Sequence, residues 1–168
     1  MHRVLRRLRS FADVSLAARA FAWACVLPVL KHLLPIQSLA SLMHRPPGPR
    51  RYRDARLEDQ IVTFARWGAR LVRWRAGGNC LERGLIAYRY LCAAGAQPTL
   101  VVGIGKNERG VLGHAWVVVD GQPMGEHRAA LDIYTPVFAF APDGSLVETT
   151  PAIARESARD VRLDGSRA

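Results

Sequence analysis

The stretch Gly78-Asn79-Cys80-Leu81-Glu82-Arg83-Gly84-Leu85 constrains this chain more than any other. Asn79 is a favoured residue just before a helix, and Glu82 three positions on completes a capping-box pattern. Cys80 then becomes the first helical residue. Free backbone N–H groups and the positive end of the helix dipole favour a thiolate there. Leu81, Leu85, Tyr88 and Cys92 recur at helical spacing, and Gly95 falls at the C′ position. Gly84 and Ala87, on the Cys80 side, are small enough to let a strand pack beside the sulfur. Taken alone, the pattern fits an inert buried cysteine as well as a nucleophile.

A second stretch, Gly113-His114-Ala115-Trp116-Val117-Val118-Val119-Asp120-Gly121, reads as a strand running into a turn. Alternation puts His114 on one face with Trp116 and Val118. Apolar residues on both faces predict a central strand. A helix-start cysteine followed by a strand histidine is the layout of thiol acyl chemistry, where His takes a proton and Cys attacks a carbonyl. A lone strand histidine is more often a plain core or surface residue, so it is Cys80 that gives His114 weight. The N–H of Cys80, with help from Asn79, is the candidate oxyanion donor. Gly77-Gly78 just ahead would let the backbone approach a bound peptide.

The imidazole needs an acid or amide to hold its tautomer. Asp120 reads as a turn residue. If the turn is a three-residue loop, Glu126 lies diagonal to His114 on the same face. Asp132 opens the next strand, Leu131-Asp132-Ile133-Tyr134. Glu126 is preferred and Asp132 is the alternative. His127 sits in a polar run with no strand pattern.

Asn79-Cys80-Leu81-Glu82-Arg83-Gly84-Leu85, His114-Ala115-Trp116-Val117 and Tyr134-Thr135-Pro136, in this order, resemble the transglutaminase-like B proteins of lasso-peptide biosynthesis. The resemblance covers residues 50–140. It implies an α+β, papain/transglutaminase-like fold, with a Cys-bearing helix packed on an antiparallel sheet behind N-terminal helices. It implies a cysteine protease that removes the leader segment of a precursor peptide before a ring-closing cyclase acts. In that family an acid, usually Asp, occupies the slot that Glu126 fills here, a departure in residue type. A more general transglutaminase-like layout would use Asp132. Residues 1–45 look too short and too helical for the leader-binding module some members carry, so a separate leader-binding protein is expected. No metal or cofactor is expected.

Charge divides the chain. Residues 1–75 hold 15 of the 24 Lys and Arg but 4 of the 14 Asp and Glu, a net +11, whereas residues 76–168 are net −1. A basic half suits an anionic membrane surface, an acidic partner or nucleic acid. Only Lys31 and Lys106 are Lys, and no nucleic-acid-binding motif accompanies the arginines, so nucleic acid is not expected. Cys25, Cys80 and Cys92 form neither a disulfide framework nor a zinc pattern, which suits a reducing cytoplasm.

Residues 1–45 read as a basic, amphipathic helical region, 46–148 as the catalytic domain and 149–168 as a polar tail. Arg3, Arg6, Arg7 and Arg9 precede the apolar run Ala20 to Leu30. That run is shorter than the roughly 20 residues a spanning helix needs. It reads as a helix packed on the domain or resting on a membrane, rather than a secretory signal. Residues 2–40 are thus candidates for membrane contact, or for docking the leader-binding protein or cyclase. His44 to Arg50 is a proline-rich linker. Leu57 to Arg75 forms a helix with Ile61, Phe64, Ala65, Gly68, Leu71 and Val72 inward and Arg66, Arg70 and Arg73 solvated. Gln97 to Ile104 is a strand, Gly105 to Gly110 a turn, and Val137 to Val147 a closing hairpin. The same chemistry would serve another acyl transferase or a deamidase, and the basic half would also suit a non-catalytic binding module.

Overall fold

The computed structural model describes residues 10–48, 53–72, 79–108 and 110–147. The basic segment before Ser10, the Arg73 and Arg75 positions, the Gly77-Gly78 loop and the polar tail lie outside the described residues. The first helix, α1 (Phe11–Leu33), starts at a capping box in which Ser10 and Asp13 each bond the other's backbone N–H. It runs past the sequence interruption at Lys31 and His32, and it has no polar face. After Leu34-Pro35 the chain forms α2 (Ile36–Met43). Ala20, Ala24, Leu27, Leu39, Ala40 and Met43 are buried in one core with the later elements.

The Pro-rich segment is tied down: Gly48 N–H donates to Ala93 O at 3.0 Å, and His44 Nδ1 lies 2.7 Å from Pro142 O. Asp54 caps α3 (Ala55–Leu71) through the Arg56 and Leu57 N–H groups. Ile61, Phe64, Ala65 and Gly68 face inward as expected, but Leu71 is exposed. Arg66 is not simply solvated: its guanidinium donates to the Gly125 carbonyl. Helix α4 (Cys80–Ala93) follows. It ends in a Schellman motif, with Gly95 N–H on Cys92 O and Ala96 N–H on Leu91 O.

Strands β1 (Thr99–Asn107), β2 (Gly110–Val119), β3 (Gln122–Pro123), β4 (Tyr134–Phe140) and β5 (Leu146–Val147) make an antiparallel sheet in the order β3-β2-β1-β4-β5. The β1–β2 ladder runs out to Asn107 opposite Gly110, so the connection is shorter than the turn expected from Gly105 onward. Leu100, Val117, Val119 and Phe140 face the helices; Val101, Trp116 and Leu131 form a smaller cluster on the other side.

The middle strand is β1, and the His114 strand β2 lies between β3 and β1, interior as expected at its Val118-Val119 end. Two-residue β3 pairs with Val118 and Val119, so among the described residues β2 is paired at His114 with β1 alone, through Gly103. Apolar residues on both faces record that both faces are covered. Edge status concerns the in-plane hydrogen bonds, on which side-chain alternation is silent.

Candidate active site

Cys80 is the first residue of α4 and is half-buried, with Sγ 3.9 Å from the carbonyl oxygen of Gly113. Gly113 immediately precedes His114, so the thiol sits against the histidine strand. Gly84, one turn on, lies over β2: a Cβ there would meet Leu100 Cδ1 at 3.2 Å and Ala115 at 3.8 Å. That close approach is the one expected from the small residues beside Cys80.

The capping box at this helix does not form. Asn79 makes no side-chain cap; its Nδ2 donates instead to Ala69 O, at 2.6 Å, near the end of α3. Glu82 does not turn back to Asn79. Its side chain is 6 % exposed and takes Lys31 Nζ of α1 at 2.6 Å. A carboxylate removed from water needs a cation more than a helix start needs a side-chain cap. The Asn79 amide thus joins the start of α4 to α3, and the Cys80 N–H remains the candidate oxyanion donor.

His114 is half-buried on the sheet face turned away from the helices. Its ring stacks on Tyr134, centroids 4.9 Å apart and planes at 23°, and on Trp116 at 6.0 Å and 22°. Two aromatic neighbours hold the ring plane and exclude water from it. Burial lowers the His114 pKa; the Glu126 carboxylate pulls it up and the Arg83 guanidinium pushes it down. The balance favours the neutral imidazole, the form in which it can accept a proton.

Glu126 approaches His114 by a route the sequence does not display. The turn after β2 has two residues, not three: Val119 pairs with Gln122, and Asp120 and Gly121 carry φ of 51° and 72°. The ladder ends at Pro123, Met124 N–H still donates to Val117 O, and Gly125 then takes a φ of 70°. Glu126 Oε1 then lies 3.8 Å from His114 Nε2 and accepts a hydrogen bond from Arg83 of α4. Arg83 belongs to the Asn79-to-Leu85 stretch, but no local pattern signals its pairing with Glu126. Asp120 is a turn residue paired with Arg53 at 2.7 Å. Asp132 is exposed in the turn before β4, which begins at Tyr134 rather than Leu131, and no ion pair joins it to His114 among the described residues. His127 is exposed.

Arg83, Gly84, Ala87, Ala115, Met124 and Glu126 line a narrow cleft between α4 and the edge of β2. Among the described residues no group of three or more His, Cys, Asp or Glu is placed to hold a metal ion.

A family model described as the transglutaminase-like superfamily matches residues 21–139, taking in more than half of α1 and the sheet through Ala139. No curated protein and no solved structure matches the chain significantly. The matched stretch holds the α+β layout, the helix-start thiol and the strand histidine together. The chain therefore belongs to the transglutaminase-like superfamily, whose members are commonly cysteine peptidases or acyl transferases.

Proposed function

We propose that this chain is a cysteine protease that removes the leader segment of a lasso-peptide precursor. The observation that carries the chemistry is the placement of Cys80 Sγ 3.9 Å from the carbonyl oxygen of Gly113, the residue before His114, whose Nε2 lies 3.8 Å from Glu126 Oε1. The motif resemblance supports the choice of substrate. His114 takes the thiol proton, and the Cys80 sulfur attacks the scissile carbonyl. Because Nε2 faces Glu126, Nδ1 is the nitrogen left for that proton. The Cys80 N–H, at the positive end of α4, receives the developing oxyanion. The C–N bond then breaks as His114 passes its proton to the leaving amine. Water, deprotonated by His114, attacks the thioester, releasing the leader carboxylate and the free thiol. Glu126 orients His114 and stabilises it when protonated, with Arg83 holding the carboxylate.

On this reading the leader is presented by a separate leader-binding protein, and the trimmed core passes to a ring-closing cyclase. The test is incubation of the full chain with precursor and leader-binding protein, followed by mass spectrometry. Cys80→Ala should abolish cleavage with the fold intact, and cleavage persisting in that variant would refute the mechanism. Loss of activity in Asp132→Asn but not in Glu126→Gln would reverse the assignment of the acid. A cross-linked or deamidated product in place of two peptides would assign the same residues to acyl transfer or deamidation.

A further inference from the structure

Helix α1 is largely apolar on both of its faces, with Arg19 and His32 its exposed basic residues. The inner face carries Ala20, Ala24 and Leu27, each at most 1 % exposed, in the main core. On the outer face, Phe11, Val14, Phe21, Val26, Val29 and Leu33 recur at helical spacing, with Phe11 88 % and Leu33 71 % exposed. Cys25 is exposed on that side too. By length and composition α1 could cross a membrane. It is held instead along the protein surface: its inner face is core, and Lys31 is paired with buried Glu82 of α4. Spanning would require pulling three core residues and one partner of an ion pair out of the fold.

We infer that the outer face of α1, with the basic segment ahead of it, docks the protein flat on an anionic lipid bilayer. Arg3, Arg6, Arg7 and Arg9 precede α1 with no acidic residue among residues 1–9. A basic stretch continuous with an exposed apolar face is the chemistry of an interfacial helix: apolar side chains enter the acyl boundary while arginines meet lipid phosphates. A second copy is the poorer occupant. A dimer through this face would bring together two chains of net charge +10. This inference is independent of the proteolytic reading and requires no activity.

The test is flotation of the full chain with vesicles of phosphatidylcholine alone or mixed with phosphatidylglycerol. The protein should float with the anionic vesicles, sediment with the neutral ones and be released by salt. Val26→Glu with Val29→Glu should lower the partition coefficient at least about tenfold, since each removes an exposed apolar side chain that would enter the acyl boundary. Arg6→Gln with Arg7→Gln should lower it about thirtyfold, at roughly fivefold per arginine near an anionic surface. Both pairs should leave the unfolding midpoint unchanged. In a Cys80→Ser background, a polarity-sensitive fluorophore on Cys25 should shift to the blue on anionic vesicles alone. Equal binding to both vesicle types, no binding to either, or variants that bind like the parent would overturn the inference. So would a concentration-dependent dimer, lost in the Val26/Val29 variant, in a chain that ignores vesicles.

Discussion

Replacing Lys31 by Met tests how helix α4 is held. Lys31 Nζ meets Glu82 Oε1 at 2.6 Å; the Glu82 side chain is 6 % exposed and that of Lys31 31 %. Among the described residues the second carboxylate oxygen, Oε2, is buried without a hydrogen bond, and Lys31 is the cation that meets this charge. Removing one partner of a buried pair costs about 3–5 kcal/mol, because the other charge stays buried. The lysine end is partly solvated, which lowers the figure here to about 2–4 kcal/mol. Against a total stability of about 5–15 kcal/mol that is a large loss. Glu82→Gln should cost less, about 1–2 kcal/mol, since the freed lysine can swing into water while the amide stays neutral. Lys31→Met combined with Glu82→Met should recover most of the loss and lie within about 1 kcal/mol of the parent. Urea unfolding at constant m measures all three. Lys31→Met costing under about 0.5 kcal/mol, or a double variant no more stable than Lys31→Met, would refute the reasoning. Glu82 lies two residues from Cys80, so alkylation of that thiol should slow in Lys31→Met as the first turn loosens.

Gly125→Ala should destabilise by about 2–4 kcal/mol and lower activity, because φ is 70° and the new Cβ would lie 2.6 Å from Val62 Cγ1. Val62→Ala should relieve part of that loss if the clash is its source, as urea unfolding would show. Arg83→Met should raise the His114 pKa and Glu126→Gln should lower it further, since the two charges act on the ring in opposite senses; NMR titration of the ring protons reads both shifts. His114 is held below its ordinary value of about 6.5, so the unfolded chain binds the extra proton first. Its contribution to stability is full above about pH 6.5 and falls as pH drops toward the folded value, and His114→Gln should flatten that slope. Cys92 is buried and its thiol is pushed up to about 11, so native alkylation at neutral pH should modify Cys80 and Cys25 and spare Cys92 until the chain unfolds.

Much of this molecule was legible in local pattern. The run from Leu81 to Gly95 predicts a helix whose first residue is Cys80, and the helix spans Cys80–Ala93 with Gly95 at C′. Strand-length apolar runs and an Asp-Gly turn predict an antiparallel sheet after it. These signals are readable because they arise between residues two to four positions apart, where backbone periodicity alone decides which side chains share a face.

Local pattern misread what long-range partners contest. Asn79 and Glu82 carry the spacing of a capping box, yet Ala69 takes the amide and Lys31, distant in sequence, takes the carboxylate. Apolar residues in Ala115–Val119 report two covered faces but not that, among the described residues, β2 has a single in-plane neighbour at His114. The sequence by itself determined where the helices and strands lie and set Cys80 at a helix start, because those depend on backbone geometry over one or two turns. Only the tertiary structure decided that Glu126 faces His114 while Asp132 stays in solvent. That choice rests on a two-residue turn, a left-handed glycine and Arg83 from another element meeting at one point, and desolvation and charge select such a meeting only once the chain is folded.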